Sequence, residues 1–93
     1  MSERGAGAKV RSTMPRYLLC HHHLPHECGA VFASFAGDGS PLRHRTTTSS
    51  CRYGGHAIWW EVTAGSEQAA LAMLPRYVAA RTTVVRVGPV RVP

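Results

Sequence analysis

The chain has 93 residues, which is enough for one small domain and too few for two. Hydrophobic residues make up 44% of the chain and charged residues 17%, a composition that is typical of a folded domain and excludes a disordered chain. No apolar run approaches the roughly 18–20 residues that a membrane-spanning helix needs, and residues 1–13 lack the apolar stretch of a secretory signal. We therefore expect a soluble, cytoplasmic domain with no membrane partner.

The predicted elements begin after a polar, Gly- and Ala-rich leader over residues 1–13, so one domain is expected over residues 14–93. Apolar periodicity and turn residues predict four strands and two helices. In chain order these are a strand over 17–23, a helix from Pro25 to about Gly37, a strand over 44–51, a strand over 56–62 after a turn at 52–55, a helix over 65–80 that breaks at Pro75, and a strand over 82–87.

This order of elements predicts the fold class. Two right-handed split crossovers give a ferredoxin-like βαββαβ α+β sandwich: a four-stranded antiparallel sheet in the order 4-1-3-2, with both helices on one face. Strand alternation places Trp59 and Trp60 on opposite faces, so one of them belongs to the core and the other to the open face. An open sheet face in a small domain is commonly covered by a second subunit, so we expect a homodimer through this face.

Charge and cysteine content narrow the classes of function. The net charge of +6 permits a nucleic-acid partner, but the basic residues are scattered and form no run, which disfavours one. Three cysteines are an odd number in a chain without an export signal, and this disfavours a disulfide framework. Six histidines are the unusual feature of the composition, and five of them lie close in sequence to a cysteine.

In the predicted topology the cysteines and most histidines meet at one end of the sheet, where the first strand ends and the first helix begins. Thiolate and imidazole ligands suit Zn²⁺, Ni²⁺ or copper, although a standard zinc ribbon or finger is disfavoured because the sequence has no C-x2-C pair. Alternation places Cys20 and His22 on one face of the first strand and His21 and His23 on the other. The predicted metal ligands are Cys20, His22, Cys51 and His56, with His26 and Cys28 in reserve.

Other interpretations remain open at this stage. Cys28 also fits the apolar stripe of its helix as a plain core residue. An enzyme would use Cys28 as a nucleophile of depressed pKa beside His26. A dimeric small-molecule-binding protein is another alternative. An RNA-binding module would use the open sheet face. Such sheets carry aromatic residues on both central strands, and here only Tyr17 and Trp59 correspond to that pattern.

The segment Met14-Pro15-Arg16-Tyr17-Leu18-Leu19, followed by Pro25, resembles the beginning of a family of small bacterial ferredoxin-like proteins, some of which bind nickel. The resemblance covers the first strand and the general order of elements. It implies a homodimer and metal binding. It transfers no metal ligand, because no Cys or His of this chain corresponds to a motif of that family.

Overall fold

The structure is a computed structural model that describes residues 14–93, so the predicted leader lies outside the described residues. Within this range the regular elements are β1 (Arg16–His22), α1 (Cys28–Ala33), β2 (Thr48–Ser49), β3 (Ala57–Thr63), α2 (Glu67–Leu71), α3 (Arg76–Ala79) and β4 (Thr82–Val87). Two 3₁₀ turns, Pro25–Glu27 and Cys51–Tyr53, precede α1 and β3. Nowhere between residues 14 and 93 is a helix long and apolar enough to cross a membrane.

The four strands form one open antiparallel sheet in the order β2-β3-β1-β4. The central strand β1 pairs with β3 on one side and with β4 on the other, so that Leu19 lies opposite both Trp60 and Val84. The predicted α+β class and the four-stranded antiparallel sheet are therefore confirmed.

The core lies on one face of this sheet, as period-2 alternation requires. Tyr17 and Leu19 are buried on β1, and Ile58, Trp60 and Val62 are buried on β3. Buried helix residues complete the same cluster: Val31 of α1, Ala70 of α2 and Val78 of α3. Trp60 belongs to this core, whereas Trp59 is half-buried on the opposite side of β3, as the alternation predicts.

Two elements are shorter than the sequence indicates. The first helix begins with a 3₁₀ turn, and its α-helical part ends at Ala33. Phe32 lies within α1 and is 55% exposed, although its spacing fits the apolar stripe. The second strand contains only two residues, because the chain before it turns at His44, where φ is +67°. The third strand begins at Ala57 because His56 has a φ of +51°, which is not an extended conformation.

The second predicted helix is broken at Pro75, as expected from the missing N–H of proline. Ser66 caps α2 by accepting the backbone N–H of Ala69 at 3.0 Å. Pro75 itself is extended, with a ψ of 148°, and α3 begins directly after it. The break brings α3 and the start of β4 beside the end of β1, where the backbone N–H of His22 donates to the carbonyl of Arg81 at 3.1 Å.

Candidate metal centre

Four side chains converge beyond the ends of β1 and β3. His23, Cys28, Cys51 and His56 each offer one ligand atom, and these four atoms all lie within 4.8 Å of one another. His23 Nε2 is 3.2 Å from Cys28 Sγ and 3.5 Å from Cys51 Sγ. Cys28 Sγ is in turn 3.2 Å from His56 Nδ1. The group therefore presents two imidazole nitrogens and two sulfurs around one point.

These spacings fit a tetrahedral ion. With Zn–S bonds of about 2.3 Å and Zn–N bonds of about 2.0–2.1 Å, the N–S edge of a tetrahedron is about 3.5 Å. The three nitrogen–sulfur distances of 3.2, 3.2 and 3.5 Å lie within a few tenths of an ångström of that edge. Two thiolates would also balance the charge of a divalent ion. The donor set and its spacing are compatible with metal binding.

His23 is held at the end of β1 by the sheet. Its backbone N–H donates to the carbonyl of His56 at 3.1 Å, which continues the pairing of β1 with β3 one step beyond the last strand residue. Its side chain follows Leu19 and His21 onto the core face by alternation and is only 7% exposed. The register of β1 thus delivers His23 to the side of the sheet where the helices pack.

Cys51 and His56 are brought together by the turn between β2 and β3. The backbone N–H of Ser50 donates to the carbonyl of Ala57 at 2.9 Å, and the Ser50 hydroxyl accepts the N–H of Ala57 at 3.1 Å. Gly55 is required inside this turn, because a Cβ there would overlap the side chain of Ser50. The tight closure holds the two ligand residues on neighbouring parts of one loop.

Cys28 is positioned through the residue that precedes it. One oxygen of Glu27 accepts the backbone N–H of Leu24 at 2.8 Å, which closes the 3₁₀ turn. Its other oxygen lies 3.1 Å from both Nε and Nη2 of Arg81, whose guanidinium stacks 3.9 Å above the ring of Tyr77. The Leu24 N–H, and then the Arg81 guanidinium, hold the pKa of the Glu27 carboxyl below its usual range. The start of α1 is thereby tied to the start of β4.

A buried chain of hydrogen bonds fixes the orientation of His23. The Thr82 hydroxyl donates to the Val78 carbonyl at 2.7 Å, so its oxygen is left to accept from His21 Nδ1 at 3.1 Å. His21 is completely buried, and burial, followed by the neighbouring His23, lowers its pKa, which favours the neutral imidazole with a single N–H. We assign that N–H to Nδ1, because the Thr82 oxygen is left to accept, and with this assignment His21 Nε2 accepts the Nδ1–H of His23 at 3.0 Å.

We call this series of hydrogen bonds the His21 relay (His21, Thr82 and the Val78 carbonyl). It determines the tautomer of His23. Because His23 donates from Nδ1, its Nε2 has no proton, and this is the atom that faces the two sulfurs. Metal-bound histidines commonly donate their second N–H to such an outer partner, which holds the ring in the binding orientation. The relay prepares Nε2 of His23 as a metal donor.

The protonation of the metal-free group also follows from its surroundings. Burial, and then the nearby His56, lower the pKa of His23, while burial and then Cys51 raise the pKa of the Cys28 thiol. A metal ion must therefore displace the proton of the Cys28 thiol when it binds. The raised pKa of Cys28 is the opposite of the depressed pKa that a nucleophilic cysteine requires, and this disfavours the enzyme alternative.

The structure separates the six predicted ligand residues into two sets. Cys28, Cys51 and His56 belong to the group, and Cys20, His22 and His26 lie outside it. Cys20 and His22 are on the other face of β1, half-buried and exposed respectively, and His26 is exposed in the 3₁₀ turn. The fourth donor, His23, is not among the six predicted ligands. The sequence does point to it through strand alternation with Tyr17 and Leu19, which places His23 on the helix-covered face together with Cys28.

Comparisons with protein-family models, curated proteins and solved structures found no match to this chain. The resemblance of residues 14–19 to the small bacterial ferredoxin-like family therefore stays a prediction.

Proposed function

We propose that this protein binds zinc through His23, Cys28, Cys51 and His56. The observation that carries the proposal is that four donors from three separate segments lie within 4.8 Å of one another. Two thiolates and two imidazoles form a donor set typical of zinc, and the nitrogen–sulfur spacings match a tetrahedral site. Nickel and copper, which the sequence also permits, are the competing ions.

The proposed role of the ion is structural. All four positions of a tetrahedral ion would be filled by protein side chains, and closed sites of this kind stabilise folds, whereas catalytic sites keep one position open. The surrounding elements are short: α1 has six residues and β2 has two. An ion held by the group would connect the end of β1, the start of α1 and the turn between β2 and β3. Its binding free energy would then contribute to folding.

Metal analysis of the untagged protein, purified without a metal-affinity column, tests the proposal. We expect about one zinc per chain, a much weaker affinity for nickel than for zinc, and protection of Cys28 and Cys51 from alkylation. Cys28→Ser and Cys51→Ser should each lose most of the bound metal. Cys20→Ser is the matched control, because Cys20 lies on the other sheet face, and it should keep the full amount.

Two outcomes would contradict the proposal. One is a protein that takes up no zinc when zinc is supplied in excess to the reduced chain. The other is a loss of metal in Cys20→Ser equal to that in Cys28→Ser. A preference for nickel over zinc would reject zinc as the bound ion, whereas tighter binding of copper would not, because copper outranks zinc at most sites of nitrogen and sulfur donors.

We also propose that the fold is ferredoxin-like. Its support is the strand order, which read from β4 is 4-1-3-2, and the shared core formed by one sheet face with buried residues of all three helices. The homodimer through the open face, where Leu18, Cys20 and Trp59 lie half-buried, and the cytoplasmic location both stay predictions. Native mass spectrometry of the same metal-analysed sample measures the oligomeric state directly.

A further inference from the structure

A cavity of about 490 Å³ lies between the α1–β2 connection and β3, on the core side of the sheet. The buried residues Leu42, Ile58 and Trp60 line it, together with Phe35, whose ring centroid is 6.1 Å from that of Trp60. This volume lies in the range of about 300–1,000 Å³ that small-molecule sites occupy, and a mostly apolar lining with a few polar groups is typical of such sites.

The ionisable side chains of this cavity are basic, and its other polar lining residues are Thr46, Thr47 and Ser49. Arg43, His44 and Arg45 line it in succession and are exposed. Between residues 14 and 93 no acidic residue lines it, and the ion pairs found in the same range use two other arginines, Arg16 and Arg81. The cavity therefore combines an apolar interior with two arginines that have no acidic partner in the described part of the chain.

The basic segment is attached to the rest of the fold on both sides. Before it, the Ser40 hydroxyl donates to the carbonyl of Met73 at 2.6 Å, and Leu42 is buried in the core. After it, the hydroxyl of Thr47 donates to the carbonyl of Trp59. A further bond from the backbone N–H of Arg45 to the carbonyl of Leu42, at 3.2 Å, closes the turn between these anchors. The two arginines therefore start from a fixed backbone at the edge of the cavity.

We propose that this cavity binds a small organic acid, with the apolar body of the acid against Trp60 and its carboxylate at Arg43 and Arg45. The planar guanidinium of arginine matches a carboxylate with two parallel hydrogen bonds, and aromatic walls favour a flat or short aliphatic body. A neutral apolar molecule of the same size would leave the arginines without a partner. Charge complementarity thus selects an acid.

This site is separate from the candidate metal centre. None of the four metal-donor residues lines the cavity. Trp60 stands between the two regions, because its ring centroid is 6.3 Å from that of His21 in the relay. The cavity and the candidate metal centre thus share no lining residue, and the binding of an acid and of a metal are measured separately.

Calorimetry with two matched probes on the full chain tests the proposal. The probes are 2-naphthoate and the neutral 2-naphthalenemethanol, which share the aromatic body and differ in the carboxylate. We expect one saturable site that prefers the acid. The double variant Arg43→Ala/Arg45→Ala should weaken naphthoate binding by about tenfold and leave the alcohol unchanged. Arg76→Ala/Arg86→Ala is the control, because it removes the same charge from α3 and β4.

The location of the naphthoate site is tested by NMR and by a variant that fills the cavity. The indole N–H signal of Trp60 should shift when naphthoate is added, and Ala36→Trp, which places a large side chain in the lining, should abolish binding of both probes. A well-dispersed spectrum of each variant shows that it is folded. The proposal is overturned if the wild-type protein binds neither probe, if both double variants lose the same affinity, or if the signal of Trp60 does not move.

Discussion

Replacing His21 with leucine tests whether the His21 relay prepares His23 for metal binding. Leucine fills much of the same buried volume but cannot accept the N–H that His23 now donates to His21 Nε2 at 3.0 Å. His23 is only 7% exposed, so water replaces this acceptor poorly. Loss of an outer partner typically reduces metal affinity by about 10–100-fold, which corresponds to about 1.4–2.7 kcal/mol. We expect a loss of zinc affinity in this range.

The matched control for this change is His22→Leu. His22 is the next residue of β1, but it is exposed on the other face of the sheet, so the same substitution there should leave zinc affinity unchanged. His21→Gln is the conservative variant, because its side-chain amide oxygen can accept the same N–H. It should recover part of the lost affinity. Competition with a chromophoric zinc chelator measures the zinc affinity of all three variants.

A second readout separates positioning from a general loss of stability. In the wild-type protein, ¹⁵N NMR of the imidazoles should show the proton of His23 on Nδ1, both without metal and with zinc bound at Nε2. The explanation fails if this proton is found on Nε2 in the metal-free protein. It also fails if His21→Leu binds zinc as tightly as His22→Leu does.

Three further predictions concern the fold and its pH dependence. Leu19→Ala should reduce the free energy of unfolding by about 2–5 kcal/mol in urea denaturation, because Leu19 is fully buried, whereas the same change at half-buried Leu18 should cost much less. Gly55→Ala should destabilise the β2–β3 turn by about 1–3 kcal/mol and weaken zinc binding, because its new Cβ would meet Ser50 Oγ; unchanged chelator competition would contradict this. The pKa values of His21 and His23 are lowered by folding, so the unfolded chain binds more protons below about pH 6.5 and the metal-free protein should lose stability as pH falls below that value. If the urea midpoints of the metal-free protein are equal at neutral and mildly acidic pH, this expected pH dependence is refuted.

The parts of the fold that the sequence predicts well are those governed by backbone period. Strand alternation has a period of two, so the faces of Trp59 and Trp60 follow once β3 is recognised. The break at Pro75 follows from a missing N–H, whatever the tertiary context. The bounds of β4, Thr82–Val87, agree with the predicted 82–87 because β-branched residues dominate this segment and Gly88 ends it.

The parts that it does not predict depend on contacts between distant segments. The Thr- and Ser-rich stretch before Cys51 suits a strand, but β2 contains only two residues. The α1–β2 connection turns at His44 and is bonded through Ser40 to Met73, and this keeps most of the stretch away from the sheet. His56 looks like the first residue of a strand by composition. Its φ of +51° instead places it in the turn, opposite Cys51. Neither backbone angle has a signature in the local sequence.

The candidate metal centre shows how the predicted topology can be right while the predicted ligands only partly coincide with the group that the structure brings together. The topology predicts that cysteines and histidines meet at one end of the sheet, and alternation correctly divides the three consecutive histidines between two faces. The choice between the faces depends on where the helix that contains Cys28 packs. That helix covers the face of Leu19, since Val31 and Leu19 share one core. His23 is therefore the histidine that joins the group, and His22 is exposed to solvent.

The core and the candidate metal centre consequently select the same register of β1. A slip of one residue in this strand would move Leu19 out of the core and His23 away from Cys28 at the same time, because every side chain would change face. Burial of Leu19 and His21 opposes this slip even in the absence of metal. A bound ion would also oppose this slip at the end of β1, because it would hold His23 beside Cys28. In this structure the ligand geometry is thus prepared by the packing of the core, and the ion would stabilise an arrangement that the apolar residues already favour.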